Sequence, residues 1–561
     1  MSAKNQQEQR ANAQALKQLT GAQAQPLSVS AWLSVLSSLV LLGELFCVAL
    51  SIEALLRTPS LDAILPYLAA FAGLALTRIA IESAAAAIAA RAAEEVQERA
   101  RSEVTAAIAA ISPLDKNRPH AGEIATLMTT HVDALGPYLS RYRPARLRAA
   151  IIPIAVLVIT AYYSWVAALV LLCTGPLIPV FMALIGMQAQ AASERQLKEI
   201  GTMNAGLLDR IKGLTTLRLF DAIPHATATL LRDGEDIRER TMAVLRIAFL
   251  SSAVLELFAA VGVAFAAVYV GFNLLGMISF GAYGELSLLG GIFVLMIAPE
   301  YFRPLRDFAA AYHDHAAARA ASGEIQKVLG GEWLPLAPRG SSAEAYEAVS
   351  ANEVALSLGG KVILPTFSLE IKSGEQIALV GPSGSGKSML LALLAGLLAP
   401  TSGSILFNGK PGTACKIAWL GQRPAFMQGS VAANLTLYRP GVERSALSAA
   451  LELAQAGEIV AKLDRGLDEI LRENAANLSG GEAQRLALAR LALSQADVIL
   501  ADEPTEHLDA ATAEAVIDGL LTLAKGKTLI VATHDPRVVA RTTRVIEVQK
   551  LIGKREIGAA A

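Results

Sequence analysis

Cysteine is nearly missing from this chain. Cys47, Cys173 and Cys415 are the three present. They lie far apart with no CxxC pair, which excludes a disulfide framework and a cysteine-built metal site. Their expected role is as small buried residues. Charge is scarce as well: Asp, Glu, Lys and Arg make up 18% of the chain, against about 25% in soluble domains. Neither sign dominates. A net charge of −1 and a pI near 6.7 give no global attraction to nucleic acid, which removes that partner class. No signal peptide is expected either. The residues up to Pro26 are polar and rich in Gln and Ala, and the first apolar run starts too late and is too long. The expectation for this segment is a cytoplasmic tail or an amphipathic helix on a membrane surface.

What is abundant is apolar sequence. Hydrophobic residues make up 53% of 561, and the excess sits in the first 310 or so residues. Six runs approach or exceed the ~20 residues that cross a bilayer, near 31–56, 63–90, 147–165, 166–187, 247–275 and 286–306. The third and fourth nearly touch, so Tyr162 to Trp165 is expected to form a tight interfacial hairpin, a place where aromatics concentrate. Segments 91–148 and 188–246 carry nine Lys/Arg each, whereas Arg57 is the one basic residue of the opposite turns. The positive-inside rule places both long loops and both termini in the cytoplasm. The chain is thus expected to be a multi-pass membrane protein. Charges at helical spacing (Glu94, Glu95, Glu98, Arg99) predict that the spans continue as helices outside the bilayer. Twenty extra residues would reach about 30 Å into the cytosol.

Gly330 to Ser350 is rich in Gly, Pro, Ser and Ala and reads as a linker. Beyond it, strand-like runs (QIALV, VILAD, TLIVAT) alternate with helical ones, the pattern of an α/β domain with a largely parallel sheet. The expected layout is a tail over 1–27, a six-helix transmembrane domain over 28–329, a linker over 330–350 and a nucleotide-binding domain over 351–561.

GPSGSGKS (Gly381 to Ser388) sits between the strand QIALV and a helical run, the context a P-loop requires. Gly381, Ser383, Gly384, Ser385 and Gly386 would let backbone N–H groups wrap phosphates. Lys387 is expected to reach the β- and γ-phosphates of ATP, and Ser388 to bind Mg²⁺. VILADEPTEHLD (Val498 to Asp509) ends a second buried strand in acids. Asp502 is expected at Mg²⁺, and Glu503 is placed as general base toward the attacking water.

With these in order, the C-terminal domain resembles an ATP-binding cassette (ABC) nucleotide-binding domain. The resemblance implies further roles. Gln422 in WLGQRP matches the Q-loop that contacts Mg²⁺ or water. LSGGE matches the signature, whose Ser479, Gly480 and Gly481 would begin a helix and touch the γ-phosphate held by an opposite subunit. Leu508 and Asp509 match the D-loop, and His534 in VATHD the switch histidine. Two departures stand out. Glu482 replaces the usual signature glutamine. The region where the family often stacks adenine on an aromatic reads VALSLGGKVIL, with Leu356 and Leu358 instead, which implies weaker nucleotide selectivity.

Six spans plus one cassette resemble an ABC exporter half-transporter. Leu114 to Glu123 and Leu207 to Phe220 are candidates for docking on a cassette. The strings RYRPARLRAAIIPIAV, TGPLIPVFMALIG, LLDRIKGLTTLRLF, RERTMAVLRIAFLSSAVLELFA and APEYFRPLRDFAAAYHDHAAA strongly resemble the CydD subunits of bacterial cysteine/glutathione exporters. That family implies a related partner half of the CydC type, export of small thiols to the periplasm and support of cytochrome bd assembly. It has also been linked to haem transport, so haem export stays open as an alternative. A membrane cystine reductase is disfavoured by the missing CxxC and dinucleotide fingerprints. A multidrug or lipid exporter would not explain the matching strings.

Ionisable residues inside spans mark pathways or pairings. Arg78 and Glu82, one helical turn apart, are the candidate substrate contacts, Arg78 for a carboxylate. Glu44, Glu53, Glu256, Glu300 and Arg303 are the others. Haem takes a His, Cys, Met or Tyr ligand, but no histidine falls centrally in a predicted span. His313 and His315 lie just past the last one.

Overall fold

The computed structural model describes residues 3–178, 181, 210–211, 213–278, 280–282, 286–337, 346–358, 360–411, 415–472 and 477–553. The chain forms two compact units. One comprises Met1–Ala106 and His120–Gly331, the other Ala107–Pro119 and Glu332–Ala561.

The first unit is helical. Its elements are α1 (Ala3–Thr20), α2 (Ala24–Arg57), α3 (Leu61–Ala110), α4 (Arg143–Tyr163), α5 (Trp165–Thr174), α6 (Ile223–Leu274) and α7 (Leu288–Leu329), with short turns of helix between α3 and α4. Among the described residues, five helical stretches are long and apolar enough to cross a membrane. The expected fourth span, 166–187, begins as α5 and continues mostly outside the described residues. Residues 207–209 and 212 of the candidate Leu207 to Phe220, and residues 338–345 of the linker, also lie outside them, while Leu214–Leu219 forms a short helix.

α3 has 50 residues, about 75 Å at 1.5 Å per residue, far more than the ~30 Å hydrocarbon core. Its second half buries Ala85, Ala89, Ala92, Val96, Ala100 and Val104. That three-to-four spacing draws one stripe along the helix, and small residues let the neighbouring backbone approach. Gln97 and Arg101 extend the contact by donating to the carbonyls of Val132, Asp133 and Met128. Close approach recurs between α6 and α7: a Cβ on Gly262 would lie 2.4 Å from Phe302.

Between α4 and α5 a single extended residue, Ser164, makes the turn. Its hydroxyl donates to the Gly281 carbonyl at 2.7 Å, lies 2.9 Å from the Tyr269 hydroxyl and caps α5 at the Ala167 N–H. Tyr162 and Trp165 flank it with exposed rings. The N-terminal segment is neither a free tail nor a helix lying on lipid along its whole face. It is α1, with Ala15 and Leu16 buried and Asn12 packed where a Cβ on Gly323 of α7 would be.

In the second unit, β3 (Gln376–Val380), β5 (Ile417–Leu420), β6 (Val498–Asp502), β7 (Thr528–Ala532) and β8 (Arg544–Glu547) form an all-parallel sheet in the order β8–β3–β7–β6–β5. An antiparallel sheet of β2 (Lys361–Lys372), β1 (Ala348–Leu358) and β4 (Ser402–Phe407) lies in the same unit, edged by Lys410–Pro411. β3, β6 and β7 are almost continuously apolar, as strands covered on both faces must be. α8 (Lys387–Leu394) buries Leu390, Leu391, Leu393 and Leu394 against them.

Residues 107–119 belong to this second unit. Ile111 bridges Pro335, the Ser112 hydroxyl donates to the Leu397 carbonyl at 2.5 Å, and the Leu334 N–H donates to Asp115 at 2.8 Å. Part of the stretch read as a linker is therefore pinned, and β1 already begins at Ala348. Asp115 also accepts from the Asn117 N–H. Asp115→Ala leaves both donors unpaired, which costs about 1–3 kcal/mol for a buried donor. Chemical denaturation of the purified chain should show that loss, and an unchanged midpoint would rule out this clasp.

Candidate functional site

Ligands of parallel α/β sheets bind beyond the carboxyl ends of the strands. Here four neighbouring strands carry the motif residues at that end. β3 leads into Gly381–Ser388, β6 ends in Asp502 and Glu503, β7 leads to His534, and β5 leads to Gln422. The parallel register sets Leu379 and Asp502 on either side of Ala532.

The P-loop turns on glycines. Gly386 has φ +93°, and a Cβ there would meet Leu364 at 2.5 Å, so only glycine fits. Lys387 is buried, with its ammonium 2.9 Å from the Gly381 carbonyl, 3.3 Å from that of Pro382 and 3.7 Å from a Glu503 oxygen. The other Glu503 oxygen lies 2.9 Å from His534 Nδ1. Glu503 itself takes a left-handed backbone (φ 46°), held by its N–H to the Ala532 carbonyl at 2.9 Å. The Ser385 hydroxyl is buried without a partner, an orphan donor in the cradle where a phosphate oxygen would sit.

The Ser388 hydroxyl donates to Asp502 at 3.0 Å. Burial raises the Asp502 pKa above the ordinary carboxylate value, and the Ser388 hydrogen bond offsets part of that rise. A hydroxyl and a carboxylate side by side, the latter costly to keep ionised, form a hard oxygen donor set. It suits Mg²⁺, which uses one or two protein oxygens together with phosphates and water. Gln422 donates to Glu506, an acid three residues beyond Glu503 that the motif reading passed over. Position alone would have flagged it.

Ser479 caps α9 (Gly480–Ala492). Its N–H and its hydroxyl both donate to Glu482 at 2.8 Å, and the Glu482 N–H donates back to the Ser479 hydroxyl. This is a capping box, so Glu482 takes over the helix-starting task of the usual glutamine. A Cβ on Gly480 would meet nothing within 4 Å, whereas Gly481 abuts Thr512. Asp509 is not turned toward the P-loop. It caps α10 (Ala510–Leu523) through the Ala511 and Thr512 N–H groups at 3.1 and 3.0 Å. Of the two leucines expected beside adenine, Leu356 is 1% exposed and packs in the core, which leaves half-buried Leu358.

In the helical unit, Arg78 pairs primarily with a residue other than its helix neighbour. Its Nε donates to buried Glu44 of α2 at 2.7 Å, while Glu82 is 3.5 Å away. Both Arg78 and Glu82 line a cavity of about 450 Å³ enclosed by α2, α3, α4, α7 and the segment before α4. His315 stacks on Tyr142 at 4.6 Å between centroids.

Residues 364–506 match the ABC transporter family, and residues 27–297 match the ABC transporter transmembrane region. The solved structure of a bacterial Atm1-family ABC exporter with ATP bound superposes with a TM-score of 0.71, covering 94% of this chain and 93% of that one at 20% identity. The fold and the assembled ATP site define a multi-pass membrane ABC transporter subunit that couples ATP hydrolysis to transport.

Its branch is set by sequence. The glutathione/L-cysteine transport system ATP-binding/permease protein CydD of Haemophilus influenzae is 33% identical, over 92% of this chain and 90% of its own length. The Escherichia coli protein of the same name is 37% identical over 74% and 72%. The chain belongs to the CydD family.

The Glu482 carboxylate is held below its usual pKa, chiefly by the Ser479 backbone N–H and hydroxyl. A depressed carboxylate stabilises the fold above its unfolded pKa, about 4.3 for Glu, and that contribution is lost as pH falls through the folded value. Glu482→Gln keeps the box without a titrating group. Melting temperatures of the two proteins should run parallel above about pH 5 and converge or cross below about pH 4.3. Parallel curves down to pH 3 would show that the carboxylate makes no such contribution.

Proposed function

We propose that this chain is the CydD-type half of an exporter that moves cysteine- and glutathione-type thiols from the cytoplasm to the periplasm across the bacterial inner membrane, supporting cytochrome bd assembly. The observation that carries the reading is the CydD likeness over nine-tenths of both chains, joined to a complete ATP-site constellation. Both termini face the cytoplasm by the basic-residue bias. The transmembrane part is taken as 28–329 and the cassette as 351–561, joined by 330–350 with the tail 1–27 ahead. A signature needs a P-loop on a second cassette to face, and the CydD likeness makes a CydC-type half the partner. No observation favours the haem alternative.

In this reading Glu503 is the general base. Lys387 and Glu503 lie close before nucleotide binds, and a γ-phosphate at Lys387 competes with the carboxylate for the ammonium. That frees a Glu503 oxygen for a water. His534, 2.9 Å from the other oxygen, orients the carboxylate. Mg²⁺ would be held by Ser388 and Asp502, with Gln422 reaching it through water, and would supply charge neutralisation for the phosphates. Gly381, Ser383, Gly384, Ser385 and Gly386 cradle this chain's ATP. Ser479, Gly480 and Gly481 serve the partner's nucleotide, with Asp509 holding the neighbouring helix start. Arg78 and Glu82 belong to the cargo path.

Inside-out vesicles containing both halves should accumulate labelled cysteine or glutathione when given ATP, and no uptake overturns the proposal. Glu503→Gln should retain ATP binding while phosphate release falls by about 10²- to 10⁴-fold, the range for a general base. Full turnover would refute that role. Ser479→Arg should abolish nucleotide trapping at the partner's P-loop and leave trapping on this chain. Loss at this chain's own site would contradict the assignment.

A further inference from the structure

We propose that Thr505 and Asp535 are positioning residues for ATP hydrolysis, a buried hydrogen bond between them holding His534 against Glu503. The proposal rests on the roles of Glu503 and His534 given above and extends them to two residues without an assigned part in the reaction.

His534 does not fix its own place. Its side chain is 69% exposed, and among the described residues its one hydrogen bond runs from Nδ1 to Glu503 at 2.9 Å. A contact so open to water holds geometry weakly. The constraint comes from either side of it in sequence. On one side the Glu503 N–H donates to the carbonyl of Ala532, two residues before His534, at 2.9 Å. The Thr533 N–H donates to the Leu379 carbonyl at 3.1 Å and anchors that strand end. On the other side Thr505, two residues past Glu503, donates its hydroxyl at 3.1 Å to Asp535, the residue after His534. The two loops are thus tied before and after the Glu503–His534 contact.

The second tie is rigid. Thr505 and Asp535 are both buried. One carboxylate oxygen of Asp535 accepts from the Arg537 N–H at 2.9 Å and from its Nε at 3.1 Å. The other accepts from Arg537 Nη2 at 2.7 Å and from Thr505. The Asp535 N–H in turn donates to the Thr533 hydroxyl at 3.0 Å. A carboxylate with a donor at each lone-pair site has a single orientation, so Thr505 meets an acceptor that does not turn away. Arg537 also donates to the Ala510 carbonyl at 3.4 Å. That closes a ring from the chain beyond Glu503 to the chain beyond His534. Among the described residues, neither Thr505 nor Asp535 bonds a side chain of the P-loop or Asp502. Breaking the tie therefore leaves nucleotide binding in place and lets His534 leave Glu503, a loss felt in turnover and not in affinity.

The test uses the complex purified with its partner half in lipid nanodiscs. Photoreactive azido-ATP reports binding when the complex is kept on ice, and the initial rate of vanadate trapping reports cleavage once it is warmed. Separating the subunits assigns each signal to this chain. Thr505→Val keeps the side-chain size and removes the donor. Its trapping should slow by about tenfold or more, the scale of a misplaced catalytic group, with half-saturating azido-ATP within about twofold of the unaltered protein. Thr505→Ser returns the hydroxyl and should recover the rate to within about threefold. Asp535→Asn should behave as Thr505→Val; if it fails to fold, the Thr505 pair decides. Arg541→Gln is the control for general damage. Arg541 holds Asp518 at 2.7 Å and Glu514 on α10 but bonds neither Thr505 nor Asp535, and its trapping rate should stay unchanged. An unchanged rate in Thr505→Val overturns the proposal. So does a fall that Thr505→Ser does not recover, a matching loss of binding, or an equal fall in Arg541→Gln. His534→Ala separates this tie from the reading beneath it. Full trapping in His534→Ala removes the role of His534 and the tie's purpose with it. Lost trapping there beside unchanged Thr505→Val removes the tie alone.

Discussion

Lys387 is only 8% exposed, and an ammonium on so buried a residue is unfavourable unless acceptors surround it; the cassette is arranged around that requirement. Two acceptors are P-loop carbonyls, made available because glycines let the chain fold back over the start of α8. The third is Glu503, which belongs to another strand. It arrives there because β7 pairs in parallel with both β3 and β6, so Ala532 aligns Leu379 on one side with Asp502 on the other. The left-handed turn at Glu503 then swings its carboxylate toward the lysine. Neutralising a buried cation and positioning the Glu503 carboxylate thus become one interaction, and in the proposed mechanism a phosphate that takes the lysine also releases that carboxylate.

The helical unit handles charge differently. Some of its ionic groups pair along one helix, as Glu53 with Arg57 and Glu300 with Arg303, while buried Glu44 makes its short bond to Arg78 across two helices. Such pairs seldom add net stability, but they fix which faces meet. The alanine stripe of α3 does the complementary work, allowing helices close approach where bulk would hold them apart. Together these leave a cavity whose walls carry charge but little surplus of either sign.

Much of this was legible in the sequence, for a physical reason. The P-loop, the acids after VILA and the switch histidine follow strands whose apolar runs announce themselves, and a parallel sheet gathers their ends on one edge. The hairpin at Ser164 followed from two apolar runs too close for any longer turn. What stayed hidden depends on long-range pairing. Glu44 lies 34 residues from Arg78, so helix spacing could only suggest Glu82. Asp115 and Leu334 are 219 residues apart, and nothing local shows that one pins the other. Leu356 and Leu358 look equivalent in sequence and share a strand face, yet Leu358 is the last residue of β1, beyond a register shift after Leu356, and stays only half-buried.

The signature illustrates how a single substitution can keep structure and alter chemistry. Either glutamine or glutamate completes the capping box, because each offers an oxygen to the Ser479 N–H. The carboxylate, however, is the stronger acceptor, since charge-assisted bonds are roughly twice as strong as neutral ones. It also holds the Ser479 hydroxyl proton that a facing γ-phosphate would need. Its negative charge sits in the first turn of α9, where it offsets the positive end of the helix dipole that otherwise favours a phosphate. The backbone N–H groups of Gly480 and Gly481 are unaffected, and the space around Gly480 is open. A phosphate can therefore still be received there, but with less electrostatic help than a glutamine-bearing signature gives. In the proposed pairing this signature faces the partner's nucleotide, so the weakening would fall there and not on this chain's own P-loop.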